Sequence, residues 1–335
     1  MEIYRSLEQA AAKGDRAVVT IGNFDGIHLA HQQLLGRARE CAGELNAASV
    51  AVTLDPHPLQ ILAPQKAPRL LTPLPVKLEL FEKSGVDRLL VLPFTEELSR
   101  WPPERFVEEA LVKALRVGVA VVGDNFRFGH RHAGTPELLQ ELGRKWNFRT
   151  EIVPRIYFRK TVVSSSTIRR LLEQGKISLA NRLLGRCFSV RNRIKPGLGI
   201  GRNQTVPTLN LARYEGVLPA VGVYITWAHL GARRVRSVTN VGYRPTFGER
   251  ELGVETHLLD PWDDPVPETL EVSFLYRLRD ERKFETAEEL KAQILKDIRR
   301  AERYFRRLER FRVAAVREDA HFRQPPAKGQ WNKNP

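Results

Sequence analysis

Cysteine is scarce: Cys41 and Cys187 are the only two in 335 residues. Two distant thiols give no disulfide framework and fit a reducing cytoplasm. No apolar run approaches the roughly 18 residues that a membrane span needs. The opening MEIYRSLEQAAAKGD has no basic segment followed by an apolar one, so no secretory signal is expected and the chain is read as cytoplasmic. No internal repeat is visible. Neither a zinc-spaced cysteine pair nor His-Glu-x-x-His is present, which argues against a metal centre built from protein ligands alone. What is present is globular in composition, with 42% hydrophobic and 28% charged residues. The length suits two domains. A net charge of +15 favours anionic partners. Much of the excess lies between Arg299 and Arg323, either as a solvated helix face or as an RNA-contacting stripe, although no aromatic-rich RNA-binding motif accompanies it.

The first half alternates apolar strands with amphipathic helices. Strands are expected at Ala17–Gly22, Ser49–Asp55, Arg88–Leu92, Val117–Gly123 and Phe148–Val153. Helices are expected near His28–Leu45, Val76–Lys83 and Pro103–Arg116, and again after the cap Thr135. This rhythm implies βαβ units and a parallel sheet, a Rossmann-like layout in which ligands bind beyond the carboxyl ends of strands. Near Gly185 the pattern shifts to short segments of period two: Val223, Ile225 and Trp227 share a face, as do Leu270, Val272 and Phe274. A small antiparallel β-barrel is expected there. A long helix follows from about Ala287, with Thr286 and Glu289 as a capping box and Leu290, Ile294, Ile298 and Phe305 as its apolar stripe. The last residues read as a frayed tail.

In AVVTIGNFDGIHLAH, Ala17 to His31, an apolar strand runs into a glycine bend and then two histidines three apart. With a helix starting near Gly26–Ile27, His28 and His31 share its first turns, where backbone N–H groups and the dipole favour an anion. Imidazole N–H groups there can donate to phosphoryl oxygens as charge builds. Ordinary histidines on a solvated helix are the plain alternative. A metal pair would need a third ligand, for which His57, His130 and His132 are available. A second helix start, VVSSSTIRRLLEQG, offers Ser164, Ser165 and Ser166 hydroxyls and the Arg169 fork for phosphate, or simply a capped helix.

GNFDGIHLAH, TLDPHP, GDNFRFGHRHAG and VSSSTIR, in that order and spacing, resemble the bacterial bifunctional riboflavin kinase/FAD synthetase family. The resemblance implies an adenylyltransferase module with ATP against Gly22, Asn23, Phe24, Asp25 and Gly26. It implies His28 and His31 as catalytic contacts to the phosphates, with Ser165, Ser166 and Arg169 on the pyrophosphate side. Asn125 takes the flavin and nucleotide pocket. Two departures stand out: Ala30 replaces the usual glycine between the histidines, and Ser166 a usual threonine.

GLGIGRNQTVPTLNL, Gly197 to Leu211, carries flexible glycines at 197, 199 and 201, charge at Arg202, and oxygens two apart at Thr208 and Asn210. Hard oxygen donors of this kind suit Mg²⁺ held together with ATP, although a glycine-rich hairpin with a polar strand reads the same way. The segment resembles the same family's kinase motif, with Thr205 and Val206 as departures. The resemblance implies Gly199, Gly201, Arg202, Thr208 and Asn210 at ATP, the last two also at Mg²⁺. Glu255 in NVGYRPTFGERELGVETHLLD is implied as the catalytic base, and Arg279 and Phe284 as flavin neighbours. A Tyr-Gly pair usual in the family is missing from PVPETLEV.

The expected layout is therefore a FAD synthetase domain over 1–184, a riboflavin kinase domain over 185–312 and a basic tail over 313–335. The expected partners are ATP, riboflavin, FMN and Mg²⁺, with FAD as product. No membrane or nucleic-acid partner is expected, and the oligomeric state is open. Two competing readings are a riboflavin kinase with weakened adenylyl transfer, because of Ala30, and a basic nucleic-acid-binding protein on a nucleotidylyltransferase-like scaffold.

Overall fold

A computed structural model describes residues 1–195, 208–245 and 250–319. The chain divides into two compact units, Met1–Val190 with Arg213–Ala220, and Arg191–Ala212 with Val221–Pro335. The glycine-rich segment 197–207, with Gly199, Gly201 and Arg202, lies outside the described residues, as do residues 320–335.

The first unit runs β1 (Glu2–Tyr4), α1 (Leu7–Ala11), β2 (Ala17–Ile21), α2 (Leu29–Leu45), β3 (Ala48–Asp55), α3 (Pro58–Leu62), α4 (Leu74–Ser84) and β4 (Arg88–Pro93). It continues with α5 (Glu96–Ser99), α6 (Pro103–Phe106), β5 (Val117–Gly123), α7 (Pro136–Trp146) and β6 (Arg149–Val153), then a hairpin of β7 (Tyr157–Phe158) and β8 (Thr161–Val162), α8 (Ser165–Glu173) and α9 (Ile177–Leu184). Six strands form one parallel sheet in the order β1-β4-β3-β2-β5-β6. Both faces are covered, so β2 is buried at all five positions and shows no alternation. Val19, Ile21, Val50 and Val52 pack to one side, and Val18, Ala51, Val119 and Val121 to the other. The strand order reverses direction between β2 and β5, and at such a switch point the crevice beyond the carboxyl ends is where ligands bind.

The expected strands and helices of this unit are present, with differences of local cause. The Thr135 cap holds, its hydroxyl accepting from Leu138 N at 3.2 Å. Expected helix 103–116 begins as α-helix at Pro103 and becomes π-helical over Val107–Ala114, with Leu115 N bonding Ala110 O at 3.2 Å. The edge strand β1 is three residues long, too short for a periodic signal.

The second unit is a closed antiparallel barrel with β9 (Phe188–Lys195), β10 (Thr208–Leu211), β11 (Gly222–Leu230), β12 (Arg233–Pro245), β13 (Arg250–Leu258) and β14 (Thr269–Arg279), ordered β10-β13-β12-β11-β14-β9. A helix, α10 (Ala287–Asp319), follows and extends seven residues into the expected tail. On β11 both alternating sets are buried. Tyr224 and Thr226 face the interior, where Thr226, Ser237, Thr239 and Thr256 join hydroxyl to hydroxyl at 2.7–3.0 Å. Such a fully satisfied chain lets polar groups fill a barrel at little cost. On the outer face Trp227 meets Phe305 of α10, ring centroids 4.7 Å apart. Glu289 N bonds the Thr286 hydroxyl at 3.2 Å, whereas the Glu289 carboxylate takes Glu285 N at 3.3 Å, so the capping box closes one residue early. The apolar stripe of α10 holds one charge: Asp297, 2% exposed, receives Arg279 Nε at 2.8 Å and Gln293 Nε2 at 2.9 Å.

Phe305 is buried against Trp227 and Tyr304, and its truncation leaves a void that the barrel wall cannot fill. Phe305→Ala is expected to destabilise this unit by about 3–5 kcal/mol, read as faster hydrogen exchange across β11. Unchanged exchange there would show that α10 does not stabilise the barrel.

Candidate functional sites

The loop after β2 cannot be helical. Phe24 has φ +49°, Gly26 +90° and Ile27 +34°. At Gly26 a Cβ would lie 2.9 Å from Leu71 Cδ1 at a φ that side chains rarely adopt, so glycine is required on both counts. Helix α2 therefore starts at Leu29, not near Gly26–Ile27 as the sequence spacing suggests, and His28 is its N-cap. Its Nδ1 accepts from His31 N at 3.4 Å. That bond leaves Nδ1 without a proton, so the neutral ring carries its N–H on Nε2.

His28 and His31 stack with ring centroids 3.6 Å apart, and Phe24 meets His31 edge-on at 5.1 Å. Burial pushes the His28 pKa down to about 4, against a smaller opposing pull from Asp25. Burial also holds His31 well below its ordinary value, and His28 beside it adds to the effect. Both rings are neutral near pH 7, which makes them directional N–H donors and not cations. The Nδ1 of His31 is buried with no partner among the described residues.

Asp25 is 2% exposed. Its carboxylate accepts from Leu71 N and Thr72 N, both at 3.0 Å, from the Thr72 hydroxyl at 3.2 Å, and from Arg169. Gly26 N donates to Thr72 Oγ1 at 2.9 Å. Ser165 Oγ donates to the Asp25 carbonyl at 2.8 Å, and Arg169 Nε to Arg69 O at 2.9 Å. Sequence reading set Phe24 and Asp25 against ATP. The structure buries Phe24 against Phe81 and His31 and gives the Asp25 carboxylate protein donors, so both side chains also shape the loop. The same holds for Ser165 and Arg169, whose hydroxyl and guanidinium tie α8 to that loop. Ser164 is the N-cap of α8, and Ser166 is exposed on its first turn. Gly22 follows β2, Asn23 is exposed, and Asn125 is exposed just beyond the end of β5. The predicted residues of the adenylyltransferase set thus gather at the carboxyl ends of β2 and β5 and at the start of α8. Ala30 lies within α2, where a Cβ carries no backbone strain.

His57 caps α3 through Nδ1, accepting from Leu59 N at 3.2 Å. His130 Nδ1 lies 2.9 Å from Ser99 O. Among the described residues no group of three or more His, Cys, Asp or Glu could hold a metal ion.

In the barrel, register assembles the second set. Asn210 of β10 stands opposite Glu255 of β13, Glu255 opposite Asn240 of β12, Asn240 opposite Val223 of β11, and Val223 opposite Arg279 of β14. Directly opposed residues share a face, and Thr256, next to Glu255, points inward, so this row lies outside. The adjacent row sets Thr208 opposite His257, and His257 opposite Val238. Thr208, Asn210 and Glu255, distant in sequence, are therefore neighbours, and Arg279 ends their row. Asn210 is 6% exposed and Thr208 is open to solvent. Hydroxyl, amide and carboxylate are all hard oxygen donors, a set that fits Mg²⁺ completed by phosphate oxygens and water. Phe284 lies between Arg279 and Arg282, with guanidinium carbons 5.9 and 4.6 Å from its ring centroid.

Sequence reasoning missed Lys77, buried on α4 with Nζ 3.1 Å from the Asn23 carbonyl, and Asn240, beside Glu255. The signal for Lys77 was a charge within an apolar helical set: Leu74, Lys77, Leu78 and Phe81 share one face.

Asp25→Ala strands the Arg169 charge and frees two backbone N–H groups, and should cost about 3–5 kcal/mol. Urea denaturation followed by hydrogen exchange in 22–28 and 71–72 measures it, and a loss below 1 kcal/mol would show the clamp to be unimportant. His28 binds its proton less readily folded than unfolded. Its stabilising contribution is complete above pH 6.5, is lost as pH falls to about 4, and amounts to roughly 3 kcal/mol. His28→Asn keeps a capping oxygen and should flatten the pH dependence of stability across that window. An unchanged slope would contradict the assignment.

The FAD synthetase family profile matches residues 10–167, and the riboflavin kinase profile matches residues 184–305. The bifunctional riboflavin kinase/FMN adenylyltransferase of Escherichia coli K12 is 35% identical over 301 residues, covering 90% of this chain and 96% of that protein. Its counterpart in Buchnera aphidicola of Schizaphis graminum is 32% identical over 309 residues, covering 91% and 99%. A solved structure described as a macrolide-efflux protein from Streptococcus pneumoniae superimposes with TM-score 0.77 at 28% identity, covering 84% of this chain and 92% of that one. Among the described residues no helix is long and apolar enough to cross a membrane. With two family profiles in tandem, and relatives above 30% identity matched over nearly their whole length, this chain belongs to the bifunctional riboflavin kinase/FMN adenylyltransferase family.

Proposed function

We infer that the chain phosphorylates riboflavin with ATP to give FMN and ADP, and then joins FMN to the adenylyl group of a second ATP to give FAD and pyrophosphate. The observation that carries this is the pairing of two chemically distinct sites with two matched families: a loop-and-helix anion site at the sheet's switch point, and a carboxylate among oxygen donors on the barrel. We assign adenylyl transfer to residues 1–184 and the kinase reaction to 185–312, with 313–335 as a basic extension. ATP, riboflavin and FMN are the partners, Mg²⁺ accompanies ATP, and the free cysteines fit a cytoplasmic setting.

For adenylyl transfer, an FMN phosphate oxygen attacks the α-phosphorus of ATP in line as the bond to pyrophosphate breaks. No covalent enzyme intermediate is needed, so positioning and electrostatics supply the rate. His28 donates from Nε2 to a phosphoryl oxygen, and His31, stacked on it, presents a second N–H. Gly22, Asn23 and Gly26 let the loop backbone come close to the nucleotide, and Asn125 meets nucleotide or flavin at the neighbouring strand end. Ser166 is the exposed hydroxyl of the α8 start, while Ser165, Arg169 and Asp25 hold the loop in place. The helical backbone at Ala30 supports retention of this activity.

For the kinase, Glu255 takes the proton of the riboflavin 5′-hydroxyl, whose oxygen attacks the γ-phosphorus as ADP leaves. Thr208 and Asn210 would hold Mg²⁺ with the ATP oxygens, where the ion neutralises phosphate charge. Gly199, Gly201 and Arg202 are assigned to ATP from the motif alone. Arg279 and Phe284 face the flavin.

Incubation with riboflavin and Mg-ATP, followed by chromatography, should yield both FMN and FAD. FMN accumulating without FAD would reduce the function to a kinase. Glu255→Ala is expected to abolish FMN formation while sparing FAD formation from supplied FMN. The double variant His28→Ala/His31→Ala is expected to do the reverse. A folded variant that loses both activities would overturn the assignment of separate sites.

A further inference from the structure

Lys77 is a titratable residue that none of the roles above employs. It sits on the inward face of α4, 4% exposed. Its Nζ donates to the Asn23 carbonyl at 3.1 Å. That carbonyl already receives the Thr53 hydroxyl at 3.2 Å, so its two lone pairs are occupied and the loop does not depend on Lys77 alone. An ammonium has three protons, and among the described residues this one spends a single proton on protein. Among the described residues no carboxylate lies within ion-pair distance of it. Asp25 is committed to Arg169, and Asp55 acts on Lys77 only from farther away.

Burying a cation without a counter-charge is costly. The cost shows as a pKa for Lys77 lowered below its ordinary value by desolvation, with Asp25 and Asp55 opposing the shift. The charge also reaches His31 and His57, since Lys77 is among the groups that depress both. The geometry is directional as well. Leu71 and Thr72, whose N–H groups donate to Asp25, lie just ahead of α4, so one segment holds the loop by its carboxylate, by Gly26 N–H and by the Asn23 carbonyl, and brings an ammonium to the loop that ends at His28. Arg169 reaches the same loop, but its charge is neutralised there.

We propose that Lys77 is a phosphate-binding residue of the adenylyl-transfer site, its uncompensated ammonium donating to an anionic phosphate oxygen of the nucleotide substrate and of the departing pyrophosphate. This rests on the adenylyl-transfer reading of the first unit. The role differs from that of Thr53, which holds the same carbonyl without charge.

The test compares Lys77→Gln, which keeps a neutral donor for the Asn23 carbonyl, with Lys77→Met and with Thr53→Val in the full-length protein. For both Lys77 variants, kcat/KM for ATP in FAD formation should fall about 10–100-fold, the value of one charge-assisted hydrogen bond. KM for inorganic pyrophosphate in the reverse reaction from FAD should rise in parallel. Thr53→Val should lose less than threefold. Riboflavin phosphorylation, measured in the same samples, should stay within twofold and so reports the amount of intact protein, while unchanged hydrogen exchange across β2 and β3 reports folding of the first unit. Full adenylylation by Lys77→Gln would overturn the proposal, because charge would then be dispensable. An equal loss in Thr53→Val would overturn it too, because Lys77 would then be only a prop for the loop. A wild-type protein that makes FMN but neither FAD nor, from FAD and pyrophosphate, ATP would overturn the adenylyl-transfer reading beneath it.

Discussion

The adenylyl-transfer unit depends on the carboxylate of Asp25. A loop that leaves a buried strand, turns through three residues of positive φ and delivers a histidine to a helix cap has no regular hydrogen bonding of its own. Asp25 replaces it with four donors drawn from two other segments, Leu71–Thr72 and α8. A buried carboxylate requires that many partners, and here the requirement is met only when three segments distant in sequence converge. The Gly26–Leu71 contact then fixes the residue type at the bend. His28, His31 and Lys77 inherit their positions from this arrangement.

The barrel reaches a comparable result by register. Thr208, Asn210 and Glu255 come together because β13 pairs with β10 on one side and β12 on the other, with Asn210 and Asn240 flanking Glu255. A slip of one residue would turn Glu255 inward, into the place of Thr256. The inward set Thr226, Ser237, Thr239 and Thr256 opposes that slip, since its hydroxyls satisfy one another only in this alignment. The polar lining of the barrel thus specifies the geometry of the outer face that carries Thr208, Asn210 and Glu255.

Much of this was legible in the sequence, and the parts that were not share a cause. Periodicity located the strands and helices, and turn chemistry located Thr135 and the loop at Gly26. Period two held at Leu270, Val272 and Phe274 but concealed the second buried face of β11, where α10 covers Trp227 as the interior covers Thr226. The start of α2 was misplaced because spacing reports that His28 and His31 are three apart, not that Ile27 is left-handed. Lys77 and Asp297 were overlooked for one reason: each is a charged residue in an apolar helical stripe, where pattern reading treats the charge as an interruption. Their partners, the Asn23 carbonyl and Arg279, are supplied by tertiary structure alone. For Asp25 and Arg169 the structure adds protein partners that the motif does not give, because a motif names residue types at phosphate sites without saying which side chains face the ligand.

Charge explains how such a basic protein keeps a discriminating site. A net charge of +15 raises the local concentration of any anion and selects none. Selection needs donors fixed in direction. The two histidines are stripped of charge by burial, His28 with its tautomer set by the bond to His31 N. They remain neutral at pH 7 and donate along defined lines. Arg169, which reaches the loop from α8, is cancelled by Asp25. A site assembled this way holds rigid dipoles together with a buried ammonium, and donors fixed in this manner meet a developing negative charge without first having to reorganise around it.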